Sequence, residues 1–167
     1  MRHLLFSAAA FAAIGFGAAE AAAQACANPR EKAAFDLRAL QTHLMVGALS
    51  CGLHDRYNAF VTRFQSDLAG AHRNLSAYFA RVHGARGQRD LNEYITALAN
   101  AQSQEGIRHG TTFCARVAPM FDRVMASPGG NDLALLAAQA NLPQAYAVTP
   151  CEVRTAQTPA QPTTQRR

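Results

Sequence analysis

Glu105 and His109 are the pair whose residue types and spacing are best suited to chemistry. They stand four residues apart in a stretch that we predict to be helical, so both side chains point to one side. A carboxylate and an imidazole in that arrangement can hold a metal ion or act as acid and base. One such pair supplies two ligands, whereas a closed zinc site needs about four. We therefore predict no metal site and keep Glu105 and His109 only as candidate ligands on a solvent-facing stripe.

Two further histidines could in principle extend that site. His43 and His72 flank the apolar faces of the first two predicted helices, but we do not expect their heights to match that of His109. Haem held by a histidine and a methionine is a related alternative in a helical bundle. The methionines available for it are Met45, Met120 and Met125. Methionine on an apolar face usually belongs to the core, so we predict no cofactor and keep a metal- or haem-binding bundle as the alternative function.

The densest positive patch is predicted to lie around the turn after the second helix. It contains Arg81, His83, Arg86 and Arg89, which together suit phosphate or another acidic group. Asp90 beside it and the lack of aromatic residues in the loop speak against nucleic acid. We interpret the cluster first as a solvated turn and keep these four residues as anion-binding candidates.

A nucleophilic catalytic group is hard to assemble from this sequence. Ser50, Cys51, His54 and Asp55 are close in the chain, but we assign Asp55 to a helix cap and Cys51 to a disulfide. We predict no catalytic residues, and an unrecognised hydrolase stays the second alternative.

The first 25 residues have the features of a secretory signal peptide. A basic start is followed by an apolar run from Leu4 to Gly17 and by small residues before Cys26. We predict cleavage near Ala25 and a periplasmic or secreted protein, with a lipid-modified Cys26 as the alternative. No later apolar run reaches the roughly 20 residues that a membrane span requires.

Four cysteines follow the predicted cleavage site, and an even number in an exported protein indicates two disulfides. No pair has the spacing of a thiol-redox or zinc motif. Sequence alone allows three pairings. Counting residues along the predicted helices favours Cys51 with Cys114 at one end and Cys26 with Cys151 at the other.

A helical seam in residues 55–83 organises the prediction of the fold. Apolar residues recur there at alternating steps of four and three, which places them on one helix face and calls for partner helices. The seam consists of Tyr57, Val61, Phe64, Leu68, Ala71, Leu75, Tyr78 and Val82.

The first helix has clear boundaries in the sequence. Asn28, Pro29 and Glu31 predict an N-cap, a proline in the first turn and a capping box. Gly52 predicts a left-handed C-cap, so this helix should end at about residue 51. Asp55 would then cap the central helix after about three residues, which makes the two helices antiparallel neighbours.

The central helix should end at Gly84, and Asp90 should cap a third helix that runs to about residue 126. Gly106 and Gly110 leave the middle of this helix poor in apolar contacts. We expect either a close crossing with Gly70 or a kink or small cavity there. Pro119 predicts a bend in its last turns.

After a turn at residues 127–130, Asn131 should cap a short fourth helix over residues 132–140. Residues 152–167 are rich in Thr, Gln and Pro without an apolar period, so we predict a disordered tail. The domain prediction is therefore a signal peptide at 1–25, a helical bundle at 26–151 and a tail.

The stretches at residues 39–51 and 57–64, together with Phe113-Cys114, resemble those of small exported helical proteins of Gram-negative bacteria with no assigned activity. The likeness covers roughly residues 26–126. It implies an exported helical domain and transfers no catalytic or binding residue.

We therefore predict an all-α protein, an antiparallel bundle of three main helices plus a short fourth, stapled by disulfides. Its formal net charge of +5 favours contact with acidic partners, but the charge is modest and dispersed, so we interpret it first as a solvated surface. We expect an exported binding or structural protein, not an enzyme, whose partner is another protein or an acidic component of the cell envelope. We expect no nucleic-acid partner and no transmembrane segment in the mature chain.

Overall fold

The structure is a computed structural model that describes residues 25–152. Within those residues the chain is all-α, as predicted, and contains no β-strand. Its helices are α1 Pro29–Cys51, α2 His54–Arg63, α3 Gln65–His83, α4 Gly87–His109, α5 Phe113–Ala126 and α6 Gly130–Gln139. Short 3-10 helices join two of the pairs, at Gly84–Arg86 and Gly110–Thr112. Residues 1–24 of the predicted signal peptide and residues 153–167 of the predicted tail lie outside the described residues.

The boundaries of α1 are those predicted from the sequence. The Asn28 side chain accepts hydrogen bonds from the backbone N–H groups of Arg30 and Glu31, and the Glu31 carboxylate accepts one from the Asn28 N–H. These bonds satisfy donors that the first turn of a helix leaves free. At the other end Gly52 adopts φ 68°, the left-handed conformation predicted for a C-cap.

Helix α1 is the central element of the bundle, and Phe35 shows why. Its ring is fully buried and packs edge-on against Tyr78 of α3 and Tyr94 of α4, with centroids 5.0 and 5.2 Å apart. The start of α1 thus lies beside the end of α3. Because a two-residue turn joins the end of α1 to α2, α1 and the chain of α2 and α3 run in opposite directions.

The predicted seam is buried or half-buried along its whole length. The seam lies on two helices, however, because the predicted single helix is interrupted at Phe64, where φ is −106° and ψ is 21°. Two fully buried rings that the seam did not include, Phe60 and Phe79, widen the apolar face. At about 1.5–3 kcal/mol for each buried large side chain, that wider face adds to the stability of the bundle.

The prediction that Asp55 caps the central helix is wrong. Helix α2 begins one residue earlier, and no side chain caps it. Leu53 makes the turn instead: its N–H donates to the Ala48 carbonyl over 3.0 Å, and its own carbonyl accepts from the Tyr57 N–H over 3.1 Å. Leu53 also packs against the core, which holds the turn in place.

The predicted third helix is broken, and the kink expected as an alternative is observed. Gly110 adopts φ 51°, and a 3-10 turn separates α4 from α5. A Cβ on Gly106 would lie 3.2 Å from the Phe113 ring, so this glycine makes room for the start of α5. The expected crossing with Gly70 is wrong, because a Cβ there would meet only the side chain of Arg73, at 3.7 Å, on the same helix.

Two more predicted N-caps are wrong. Helix α4 begins at Gly87, where an added Cβ would lie 2.8 Å from the Phe79 carbonyl oxygen, rather than after Asp90. Helix α6 begins at Gly130 without a cap from Asn131. The Asp67 carboxylate of α3 accepts the Gly130 N–H over 3.2 Å and so serves this helix from across the bundle.

Residues 140–151 form a segment without helix or strand, which begins with a turn at 140–141 and which we call the strap. The Gln102 side chain donates to the Pro143 carbonyl near its beginning, over 2.8 Å. At its end two hydrogen bonds of 2.8 Å join Ala27 to the backbone of Thr149 and Cys151. The strap is therefore attached to α4 and to the start of the described chain.

The disulfides link Cys26 to Cys151 and Cys51 to Cys114, with Cα–Cα distances of 4.8 and 5.6 Å. These are the pairings that counting along the helices favours. The first holds the end of the strap, and the second ties the end of α1 to the start of α5. A sulfur in a disulfide cannot carry the thioether of a lipid anchor, so this structure does not support a lipid-modified Cys26.

Candidate functional site

The predicted basic turn borders a groove on the surface of the described residues. This groove, about 520 Å³ in volume, lies where the end of α3, the start of α4 and the strap meet. We call it the aromatic groove. It is lined by Tyr78, Phe79, His83, Arg86, Arg89, Asp90, Glu93, Tyr94, Ala97 and Tyr146.

Tyrosine and phenylalanine rings form the floor of the aromatic groove. Tyr94 is only 2% exposed, with its centroid 5.6 Å from that of Phe79 and 5.3 Å from that of Tyr146. Its hydroxyl donates to the Gln144 side chain over 3.1 Å. Burial raises the pKa of the Tyr94 and Tyr146 hydroxyls, so both stay neutral. Tyr146 is 43% exposed, so the neutral face of its ring is available to a ligand.

His83 closes one side of the groove, and two contacts hold its ring in place. Its ring stacks on Phe79 with centroids 5.5 Å apart, and Nδ1 lies 2.9 Å from an Asp90 carboxylate oxygen. Asp90, predicted to cap α4, is engaged in this contact instead. The pair fixes the corner between α3 and α4.

Arg81, an anion-binding candidate in the sequence, lies outside the aromatic groove. Its guanidinium donates to the Glu31 carboxylate over 2.7 Å and to the Cys26 carbonyl over 3.1 Å. It also lies over the Tyr78 ring, 5.3 Å from the centroid. These contacts join the end of α3 to the start of α1, so Arg81 has a structural role.

The other two arginines stand at the rim of the groove and differ from each other. Arg89 lies 3.4 Å from Asp90 and 3.6 Å from Glu93, which offset its charge. Arg86 is exposed and has no ion pair within residues 25–152. Of the predicted basic patch, Arg86 is therefore the cation best placed to meet an acidic ligand.

The pair Glu105 and His109 lies at the far end of α4. Nε2 of His109 is 2.8 Å from one Glu105 oxygen, and Arg108 bonds the other. These contacts, with Arg108 contributing most, lower the pKa of the Glu105 carboxyl. No group of three or more His, Cys, Asp or Glu side chains in residues 25–152 could hold a metal ion.

The expectation that His43 lies at a different height from His109 is wrong. Both line one cavity of about 210 Å³, together with Glu105, because α4 ends in the break at Gly110. Met120 lines it too, but the cavity is smaller than the roughly 300–1,000 Å³ of pockets for larger ligands. His72 is exposed on α3 and does not line it.

Comparisons with known proteins identify no relative. No family model matches the chain, and neither does any curated protein or solved structure. The resemblance to small exported helical proteins stays a prediction. Across residues 25–152, no helix combines the length and apolar character needed to cross a membrane.

Proposed function

We propose that the protein is an exported binding protein whose aromatic groove holds an acidic ligand that also carries a flat apolar group. The observation that supports this most directly is the position of Arg86, an exposed cation without an ion pair within residues 25–152, at the rim of that groove. The neighbouring aromatic faces suit the apolar part of such a ligand. The ligand would thus be a small molecule or a segment of an acidic envelope partner that presents an aromatic ring beside an acidic group.

The size of the groove agrees with this proposal. Its volume of about 520 Å³ falls within the range of pockets that bind small molecules, roughly 300–1,000 Å³. Its lining comprises four aromatic rings, one alanine and five ionisable side chains, of which Arg86 alone has no ion pair among the described residues. The polar groups of the corner, His83 and Asp90, are bonded to each other, so this side of the groove is held in place before a ligand arrives.

Export is part of the proposal and has independent support. Disulfides form and persist in oxidising compartments, and both cysteine pairs of this chain are bonded. The amino-terminal sequence has the pattern of a cleaved signal peptide.

Anilinonaphthalene sulfonate is a suitable probe, because it joins aromatic rings to an anionic group and its fluorescence rises on binding. We expect the folded protein to bind it and Arg86→Glu to weaken that binding about ten- to a hundredfold, the value of a charge-assisted hydrogen bond. Arg73→Glu, an equal charge change at an exposed position outside the groove, is the matched control. Equal effects of the two variants would show that net charge, and not the groove, attracts the probe.

The apolar part of the site is tested by Tyr146→Ala. Truncating this half-exposed ring should weaken probe binding, whereas Leu49→Ala, an exposed apolar residue on α1 outside the groove, should not. The natural partner is then sought by capture from envelope extract with the wild-type protein and with the double variant Arg86→Glu, Arg89→Glu. Retention of every captured partner by the double variant would contradict a role for the basic turn.

A further inference from the structure

A second pocket, at the other end of α4, has the features of a binding site for a smaller ligand. It is the cavity of about 210 Å³ described above, and we call it the His43 cavity. Its walls come from α1, α4 and α5, and residues 140–143 of the strap cover it. The polar side chains that matter for binding are His43, Glu105, His109 and Arg116.

The hydrogen-bond network determines which nitrogen of His43 carries the proton. The Gln102 amide nitrogen lies 2.8 Å from the Pro143 carbonyl and 3.5 Å from the Ala39 carbonyl, and both can only accept. The Gln102 amide oxygen must therefore face His43, whose Nδ1 is 2.7 Å away. Because an amide oxygen only accepts, Nδ1 is the protonated nitrogen.

The other ring nitrogen of His43 is consequently an acceptor. Nε2 has no hydrogen-bond partner within residues 25–152, although His43 is only 7% exposed. Phe113 packs edge-to-face against the ring, with centroids 5.8 Å apart, and holds its orientation. Burial, with the nearby charges of Arg116 and His109, lowers the pKa of His43, while Glu105 and the Gln102 hydrogen bond act the other way. The imidazole is therefore neutral at neutral pH and ready to accept a hydrogen bond.

The remaining polar groups give the mouth of the cavity a positive character. Arg116 is exposed, lines the cavity and has no ion pair among the described residues. Glu105 is already bonded to Arg108 and His109, so its charge is offset. A ligand entering here meets one unengaged cation and one unengaged acceptor.

We propose that the His43 cavity binds a small organic acid that carries a hydroxyl or ammonium group next to its carboxylate. The carboxylate pairs with Arg116, and the neighbouring hydroxyl or ammonium group donates to Nε2 of His43. A cavity of this volume suits a ligand of roughly six to eight non-hydrogen atoms, the size of a short hydroxy acid or amino acid. This site is separate from the aromatic groove, and its proposal does not depend on the function proposed there.

Titration calorimetry with four probes tests the proposal on the full chain. Lactate and alanine carry both groups, propionate lacks the donor, and lactamide lacks the charge. We expect lactate or alanine to bind and both propionate and lactamide to bind at least about tenfold more weakly. Whichever of lactate and alanine binds more tightly identifies the donor as hydroxyl or ammonium. Absence of binding by both at millimolar concentrations, or equal binding of propionate, would overturn the proposal.

Variants locate the binding. Arg116→Gln should weaken binding at least about tenfold, whereas Arg123→Gln, an exposed arginine on the same helix but outside the cavity, should leave it unchanged. Both changes are at exposed positions, so loss of folding does not confuse the result. In NMR spectra of the wild type, the Nε2 signal of His43 should shift when the ligand is added. Equal affinities of the two variants, or a His43 signal that stays in place, would count against the site.

Discussion

The two ends of α4 carry two different kinds of pocket. At its start the aromatic groove is wide and lined by rings, and its charges are mostly paired, between α3 and α4 or within α4. At its end the His43 cavity is less than half as large and has an unengaged acceptor on one wall and an unengaged cation on another. About 17 Å of helix separates Tyr94 from Glu105. One rigid helix can thus present two chemically distinct sites.

The strap is what the two sites share. Residues 140–143 cover the His43 cavity, and Tyr146 lines the aromatic groove. Gln102 and Tyr94 of α4 bond Pro143 and Gln144, which are adjacent in the chain. The strap therefore fixes one wall of each site, and its far end is held by the Cys26–Cys151 disulfide.

Removing that disulfide should have the largest effect. The double variant Cys26→Ser, Cys151→Ser releases the end of the strap, so we expect stability to fall by about 2–5 kcal/mol. Binding of anilinonaphthalene sulfonate at the groove and of lactate or alanine at the cavity should both weaken. Chemical denaturation and the two binding assays measure these effects.

The matched control is the double variant Cys51→Ser, Cys114→Ser. Its cysteines are 63 residues apart rather than 125, so in the loop-closure picture its loss is about 0.6 kcal/mol smaller. It leaves the strap attached, and we expect groove binding to persist while the cavity, next to Cys114, is affected. Equal loss of groove binding in both double variants would mean that the strap is not what links the sites.

A substitution at Gly87 should weaken binding at the aromatic groove and leave the His43 cavity unaffected. A Cβ there would lie 2.8 Å from the Phe79 carbonyl oxygen and 2.9 Å from backbone atoms of Ala80. We expect Gly87→Ala to cost about 1–3 kcal/mol and to weaken groove binding, because α3 and α4 must separate. Denaturant unfolding and the fluorescent probe measure this. Gly70→Ala, where a Cβ has room, should gain about 0.5–1 kcal/mol through helix propensity.

The sequence predicts elements well where the stabilising contacts are local. The start of α1 is an example, since Asn28 and Glu31 complete the capping box within one turn. The end at Gly52 is another, because a single residue in the left-handed conformation suffices. Such signals are visible in four or five consecutive residues.

Two helix starts, those of α4 and α6, differ from the sequence prediction because of contacts between helices. Nothing near Gly130 in the sequence shows that Asp67 will accept its N–H. Similarly, Asp90 fits a capping pattern, but in the fold its carboxylate pairs with His83. Both errors come from contacts between helices, which a local pattern does not contain.

The candidate site was predicted in part. The basic turn does border a groove, but the groove's aromatic wall includes Tyr94 and Tyr146, which are distant from the turn in sequence. Tyr94 could have been found, since it falls between Leu91 and Leu98 on the apolar face of α4. Tyr146 lies in a segment without periodicity, so no sequence signal places it.

Lowering the pH should destabilise the fold through protonation of His43 at the cavity. His43 has a pKa below its ordinary value of 6.5 in the folded state, chiefly because of burial. Its neutral form therefore stabilises the fold fully above pH 6.5, and that contribution is lost as the pH falls from there through the folded-state pKa. Denaturant unfolding across this range should show a decline that His43→Gln lacks. An identical pH dependence in wild type and variant would exclude His43 as the cause.

The smallest effect is expected from Tyr94→Phe, which removes the hydrogen bond to Gln144 and keeps the ring. We expect a loss of about 0.5–1.5 kcal/mol, toward the lower end because the half-buried Gln144 amide can turn to water. Groove binding should persist, since the ring face remains. Tyr57→Phe, a half-buried tyrosine whose hydroxyl has no hydrogen bond within residues 25–152, should leave stability unchanged in the same unfolding assay. If Tyr94→Phe abolished probe binding, the position of the strap, more than the aromatic floor, would determine what the groove can hold.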